Sequence, residues 1–182
     1  MYCPLCAFVL LSRPCAALSP QVSLMQCQGS MVGGLALFEG LCANSTLEKL
    51  TLGGNTLSGA EGGAAIAAAL SAPTCGLKIL SLQQCGALND DAFKLIAEAL
   101  KKNTSLRSID IGMSGLGQGG FAAFADAFKE NATLTHFESK YNGSVGDLWN
   151  TIKEAFLASK ALPARKEDLR VDIDGVSYPR DL

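Results

Sequence analysis

The chain is poor in charged residues, and neither sign of charge dominates. Lysine and arginine total 15 and aspartate and glutamate total 17 among 182 residues, which gives a net charge of -2. A basic excess of the kind that binds nucleic acid or an anionic membrane surface is therefore absent. Charged residues make up 18% of the chain and hydrophobic residues 48%, which indicates an ordered and unusually apolar fold. We expect neither a nucleic-acid partner nor a membrane partner.

Histidine is almost absent, and this limits the enzymatic chemistry open to the chain. A zinc cluster or a histidine-activated nucleophile would have to be built around the single histidine, His136. Cys3-Pro4-Leu5-Cys6 is a CxxC pair, but the sequence offers neither a second CxxC nor an HxxxH to complete a zinc site. We therefore predict a protein that is not an enzyme and that uses no metal and no other cofactor.

Long hydrophobic runs are also lacking. The apolar run Cys6 to Leu11, like every other purely apolar run in the sequence, is far shorter than the roughly 20 residues that span a bilayer. Residues 1–18 could be a secretion signal, but no lysine or arginine precedes the apolar run, and we favour an irregular segment or partial repeat. The seven cysteines are odd in number and confined to the first half of the chain, which favours reduced thiols and a cytoplasmic location.

A leucine pattern recurs along the chain at nearly constant spacing. Leu47 to Asn55 reads LxxLxLxxN, and Leu77 to Cys85 reads LxxLxLxxC thirty positions later. Further copies begin at Leu106 and Leu134, and an earlier one begins at Ser19. The ninth position was not used to set this register, yet it holds a small polar residue or cysteine in all five units: Cys27, Asn55, Cys85, Ser114 and Asn142. This agreement indicates a true repeat.

Segments with an apolar stripe of helical period separate the copies. They include Ala64 to Leu70, Phe93 to Leu100 and Phe121 to Phe128. Each unit is therefore predicted to be a strand, a turn and a helix. Alternate strand residues, such as Leu50 and Leu52, should point inward and stack with their equivalents in the next unit.

This pattern resembles the ribonuclease-inhibitor-like class of leucine-rich-repeat proteins, and the junctions Ala97–Leu106 and Ala127–Leu134 are similar to those of that class. It is also similar to the repeat regions of NOD-like receptors and to the C-terminal repeat domain of tropomodulin. The resemblance implies an α/β leucine-rich-repeat solenoid, a horseshoe segment with a parallel concave sheet and convex helices. It covers residues 19–160, about five units. Members of the class inhibit ribonuclease, sense ligands in immune receptors, cap actin filaments or activate Ran-type GTPases.

Residues 161–182 have a different character. A Pro163-containing charged junction leads into the alternating stretch Leu169 to Ile173, which is followed by Asp174-Gly175 and Val176 to Tyr178. An Asp-Gly pair between alternating runs signals a hairpin turn. We predict a capping strand or hairpin that covers the open end of the repeats. No equally clear cap precedes the first repeat, so further repeat units or self-association at the N-terminal end are expected.

Two other motifs have competing interpretations. Gly115 to Gly120 matches the dinucleotide-binding pattern GxGxxG after a predicted strand, but similar glycines at Gly53 and Gly54 favour tight repeat turns. Four glycosylation sequons are formally present, and most recur at the repeat junctions, which makes them by-products of the repeat. Their asparagines are Asn44, Asn103, Asn131 and Asn142.

The register predicts which side chains face outward on the concave sheet. Such a surface is broad and mostly polar, and it has no single chemical centre. The candidate partner-binding residues are Lys49, Thr51, Ile79, Ser81, Gln83, Ser108, Asp110, His136, Glu138, Lys140 and Tyr141. We predict a non-catalytic module that binds a protein partner through this face. The alternatives are a regulator of a GTPase or of actin and, less favoured, a nucleotide-binding protein that uses the Gly115–Gly120 turn.

Overall fold

A computed structural model of the chain describes residues 20–26, 31–86, 88–142, 148–158, 170–173 and 176–178. The strands are β1 (Gln21–Ser23), β2 (Lys49–Thr51), β3 (Ile79–Ser81), β4 (Ser108–Asp110), β5 (His136–Ser139), β6 (Arg170–Ile173) and β7 (Val176–Tyr178). The helices are α1 (Met31–Leu41), α2 (Gly59–Ser71), α3 (Asp90–Lys102), α4 (Gln118–Glu130) and α5 (Leu148–Leu157). Strands and helices alternate from β1 to β6.

The strands form one sheet in chain order. Each of β1 to β5 pairs in parallel with the strand that follows it, and β7 pairs antiparallel with β6. This arrangement confirms the predicted repeat architecture and the parallel sheet. The predicted domain limits at 18/19 and 160/161, the Cys3–Cys6 pair and Cys27 lie outside the described residues.

The predicted inward stack of strand side chains is confirmed. The fourth position of each repeat aligns across the sheet, so that Leu50 faces Leu80, Leu80 faces Ile109 and Ile109 faces Phe137. All four side chains are at most 1% exposed. Leucine and isoleucine also fill the sixth position until the fifth unit, where Ser139 is buried. Its hydroxyl has no hydrogen-bond partner among the described atoms, which leaves one polar group in the core without compensation.

Aromatic side chains fill the core of the last repeats. Phe124 of α4 packs against Phe137 of β5 with 5.1 Å between ring centroids, and Phe128 meets the same ring edge-on at 5.0 Å. Phe93 of α3 joins them at 6.3 Å from Phe124. These rings bind two helices and a strand into one packed unit, since tilted aromatic pairs add to the energy of burial.

Helices α2 and α3 approach each other closely at Gly63. A Cβ atom added to Gly63 would lie 2.4 Å from the Cα of Ala92, too close for any side chain. In the alanine run that follows this glycine and begins at Ala64, both Ala64 and Ala68 are exposed. The close contact therefore depends on the glycine that precedes the run.

The small residues at the ninth position that the structure describes bond the backbone of neighbouring turns. The amide nitrogen of Asn142 donates to the carbonyls of Ile111 and Ser139 at 2.8 and 3.0 Å, and its oxygen accepts from the amide of Ser114 at 2.7 Å. The Ser114 hydroxyl in turn donates to the Leu82 carbonyl at 2.7 Å. Asn55 and Cys85 also donate to backbone carbonyls. A ladder of side-chain hydrogen bonds therefore joins consecutive repeats.

A second asparagine ladder lies at the opposite ends of the strands, where each helix joins the next strand. Asn103 and Asn131 cap the ends of α3 and α4, are at most 6% exposed, and donate to the Leu70 and Leu100 carbonyls of the preceding helices at 2.7 and 2.6 Å. Asn44 has the same place in its repeat and is 7% exposed. These three are sequon asparagines, and their amides are buried in the fold, which supports the interpretation of the sequons as products of the repeat.

Candidate functional site on the concave face

The predicted site residues come together on one face of the sheet. Eight of them lie in strands, at the third and fifth repeat positions, and three lie in the turns directly after the strands. The strand residues are Lys49, Thr51, Ile79, Ser81, Ser108, Asp110, His136 and Glu138; the turn residues are Gln83, Lys140 and Tyr141. Most are half-buried, whereas Ile79 is 38% and Tyr141 65% exposed.

Strand register arranges these residues in two rows. One row runs Lys49, Ile79, Ser108 and His136, and the other runs Thr51, Ser81, Asp110 and Glu138. Neighbouring strands lie about 4.8 Å apart, so four strands give each row a length of about 14 Å. The rows are fixed by the buried ladder beneath them, which makes the face a rigid platform.

Two hydrogen bonds hold Asp110 in place on this platform. Its carboxylate accepts hydrogen bonds from the Ser81 hydroxyl and from the Gly112 amide, both at 3.0 Å. Burial raises the pKa of Asp110, while the two hydrogen bonds pull the pKa down and nearby Glu138 pushes it up. The Ser81 hydroxyl is therefore directed at a carboxylate, which makes it a fixed polar contact.

Lys140 and Glu138 form an ion pair at 3.0 Å on the same face. Both side chains are about one-third exposed, with 28% and 36% of their surface open to solvent. The pair therefore offers a positive and a negative group side by side, in a geometry that a partner can meet with complementary charges.

Strand β6 extends both rows beyond the predicted residues. Its register places Arg170 next to His136 and Asp172 next to Glu138. This strand was predicted only as a cap, and neither residue is among the predicted site residues. The signal was nevertheless present, since Arg170, Val171, Asp172 and Ile173 alternate polar and apolar like a repeat strand.

In the turn after each of β1 to β5, the residue at the same repeat position has a left-handed backbone. The φ angles lie between 51° and 74° at Gln26, Gly54, Gln84, Met113 and Tyr141, which share the eighth repeat position. We call these five residues the carboxyl rim. Only one of them is glycine, so this conformation could not be predicted from the residue types. It costs residues other than glycine roughly 1–2 kcal/mol. Tyr141 therefore stands at the edge of the face, beyond the end of β5.

The glycine-rich turn before α4 is closed by a side chain of the preceding repeat. The Asp90 carboxylate accepts hydrogen bonds from the amides of Gly117 at 2.8 Å and Gly119 at 3.0 Å. A Cβ atom at either glycine would lie within 3.0 Å of that carboxylate. These amides are the groups that would hold a phosphate at a helix N-terminus. Because a carboxylate occupies them, the geometry argues against the nucleotide-binding alternative.

The cysteines and possible metal ligands among the described residues form no second candidate site. Cys42, Cys75 and Cys85 are free thiols, and burial raises the pKa of Cys42 and of Cys85. Within the described ranges, no three histidine, cysteine, aspartate or glutamate side chains are placed to hold a metal ion. The helices of the described residues are all too short or too polar to cross a membrane.

Comparison with known proteins supports the fold. No protein-family model matches the chain. Over 94 residues, 52% of the chain, it is 34% identical to the NACHT, LRR and PYD domains-containing protein 5 of Mus musculus, and it spans only 8% of that relative.

Two solved structures resemble the chain over most of its length. The tropomodulin C-terminal domain of Caenorhabditis elegans has a TM-score of 0.69 at 15% identity, with 85% of this chain and 92% of that chain covered. Leiomodin-1 actin-binding site 2 has a TM-score of 0.68 at 18% identity, with 85% and 86% covered. At these identities the likeness is one of fold. Together with the repeat register and the parallel sheet, it shows that the chain has a leucine-rich-repeat fold.

Proposed function

We propose that the chain is a non-catalytic interaction module that binds a protein partner through its concave face. The observation that carries this proposal is the pair of mostly polar rows, which stand on a fully buried ladder and extend over at least four strands. The side chains in the rows can vary without disturbing the core, which suits them to recognition. The fixed groups are Asp110 and the Lys140–Glu138 pair.

Actin is the partner that we propose to test first. One of the similar structures is described as an actin-binding site of leiomodin-1, and the likeness covers 85% of this chain. Actin regulation was also one of the alternatives drawn from the sequence. The regulation of a GTPase remains the competing possibility for the same face.

We also propose a cytoplasmic location and membership of the ribonuclease-inhibitor-like class. The thiols of Cys42, Cys75 and Cys85 are free, which suits a reducing compartment. The buried amides of Asn103 and Asn131 support the same location, because a glycan on either nitrogen would break the ladder. Residues 19–160 would then form the repeat domain. The pairing of β6 with β5 suits a cap formed by residues 161–182.

The test compares two matched ion pairs on opposite faces of the protein. The double variant Glu138→Ala with Lys140→Ala removes the concave pair, and Asp126→Ala with Lys129→Ala removes an exposed pair of similar length, 2.8 Å, on α4. Binding to monomeric actin, and in parallel to a small GTPase of the Ran type, is measured by biolayer interferometry. We expect the concave variant to weaken binding by about tenfold and the helix variant by less than about twofold.

Each outcome of this comparison is informative. Equal effects of the two double variants would place the contact away from the concave face and overturn the proposal. Binding of neither protein would remove both candidate partners. Cross-linking of the purified chain in cell extract, followed by mass spectrometry of the linked peptides, would then show whether any protein contacts the concave residues.

A further inference from the structure

The carboxyl rim combines a constrained backbone with side chains that the core does not use. Gln84, Met113 and Tyr141 all have positive φ, at 59°, 52° and 60°. All three side chains are exposed, Met113 to 38% and Tyr141 to 65%. Glycine adopts this conformation without strain, as Gly54 does at the same repeat position. Packing within the fold therefore does not account for the long side chains at these three positions.

The chemistry of the rim differs from that of the face beside it. The concave face carries charged residues, such as Lys49, Asp110 and Glu138, among its uncharged ones. The rim carries two amides, a thioether and a phenol, and none of its residues has a formal charge. The Gln84 side-chain amide lies 3.5 Å from the Met113 sulfur, so neighbouring rim side chains contact each other. Methionine and tyrosine are enriched where proteins bind one another, because they offer apolar area together with polarisable or polar atoms.

We propose that an uncharged, largely apolar segment of a partner protein packs along the carboxyl rim, with Met113 and Tyr141 as its main contacts. This inference rests on the proposed function and assigns a second, chemically different contact to the same partner. The choice of occupant follows from charge matching: a charged segment would lose hydration against these side chains and gain no opposite charge from them.

The dimensions of the rim fix the size of the segment. Five rim residues on strands about 4.8 Å apart extend over about 19 Å. An extended chain advances about 3.3 Å per residue, so a segment of about six residues follows the rim from one end to the other. Such a segment would lie across the strand ends, next to the polar rows that the rest of the partner contacts.

The test uses the left-handed backbone to separate binding from stability. Glycine at positions 113 and 141 removes both side chains and relieves the backbone, so the double variant Met113→Gly with Tyr141→Gly should keep or raise the melting temperature. The asparagine versions, Met113→Asn with Tyr141→Asn, also tolerate this conformation and serve if the glycine variant fails to fold. Leu95→Ala on α3, where the leucine is 40% exposed, is the matched control for loss of apolar surface.

The probe is a phage-displayed library of random 12-residue peptides, panned on the folded full chain. We expect selected peptides to share an uncharged apolar stretch of about six residues, to lose about tenfold in affinity for the rim variant, and to bind Leu95→Ala normally. Selected peptides that are highly charged, or that bind the rim variant unchanged, overturn the inference. Peptides that lose affinity only for the Glu138→Ala, Lys140→Ala variant bind the concave face, which supports the proposed function and refutes binding at the rim. Failure to select any peptide also counts against the rim, while the actin and GTPase measurements decide the function independently.

Discussion

Loss of a single junction asparagine should destabilise the protein more than loss of most surface residues. Asn131 is 2% exposed and makes four hydrogen bonds to the backbone. Its nitrogen donates to the carbonyls of Leu100 at 2.6 Å and Asn103 at 3.1 Å, and its oxygen accepts from the amides of Thr133 at 2.8 Å and Leu134 at 2.7 Å. Asn131→Ala leaves four backbone groups without this partner, three of them in buried contacts. At about 1 kcal/mol for each, the loss is about 3–4 kcal/mol.

Urea unfolding followed by far-ultraviolet circular dichroism measures this loss. Asn131→Asp tests the direction of the hydrogen bonds, because it keeps both acceptor contacts but turns an oxygen toward the two carbonyls. That arrangement raises the folded-state pKa of the new carboxyl group, so the variant should lose stability as the pH rises above about 4, its unfolded value. Asn150→Ala, at an exposed position of α5, is the control and should change stability by less than about 0.5 kcal/mol.

Repeat proteins can unfold in parts, so a global measurement alone could hide a local effect. Hydrogen exchange at the amides of Thr133 and Leu134 reports directly on the junction, since both donate to Asn131. If Asn131→Ala lowers the free energy of unfolding by less than about 1 kcal/mol and leaves the exchange of these two amides unchanged, the estimate of about 1 kcal/mol for each lost hydrogen bond is refuted.

Three further predictions each concern one polar residue. Asp90→Ala should lower the free energy of unfolding in urea by about 1–3 kcal/mol, because the Gly117 and Gly119 amides lose their acceptor. Unchanged stability would contradict a stabilising role for Asp90 at the start of α4. Ser139→Ala should raise stability by about 1 kcal/mol in the same assay, since it removes a buried hydroxyl that lacks a described partner; a loss would show that the hydroxyl is satisfied. Because the folded-state pKa of Asp110 is raised, its ionisation favours the unfolded chain, so stability should fall as the pH rises from about 4 through the folded-state value. Melting temperatures of the Asp110→Asn variant should lack this part of the pH dependence, and identical pH profiles would refute the assignment.

The strand pattern could be read from the sequence because one physical demand repeats in every unit. The fourth position must fill the space between sheet and helices, so Leu50, Leu80 and Ile109 recur at the same register. The ninth position must donate to a carbonyl of the preceding turn, which explains why asparagine, cysteine and serine share it. The outward residues between the buried positions then followed from alternation alone.

Contacts between repeats could not be read in the same way, because they join residues that no single unit requires. The glycines before α4 matched a nucleotide-binding pattern because both arrangements need backbone amides free of side chains. The structure shows that Asp90, 27 residues before Gly117, accepts from those amides. Sequence spacing identifies the open amides, but only the packing of α3 against α4 identifies their acceptor.

The rim shows a different limit of sequence reasoning. A left-handed backbone is usually inferred from glycine, and the eighth position has glycine in only one of the five described turns. The ladder of the ninth position holds the turns in place: Asn142 follows directly after Tyr141 and bonds to the backbone of two repeats. Because these hydrogen bonds hold the turn in its left-handed conformation, the eighth position does not require glycine. The side chain at this position is therefore free to serve contacts outside the fold. For this reason the rim variants should change binding without lowering the melting temperature.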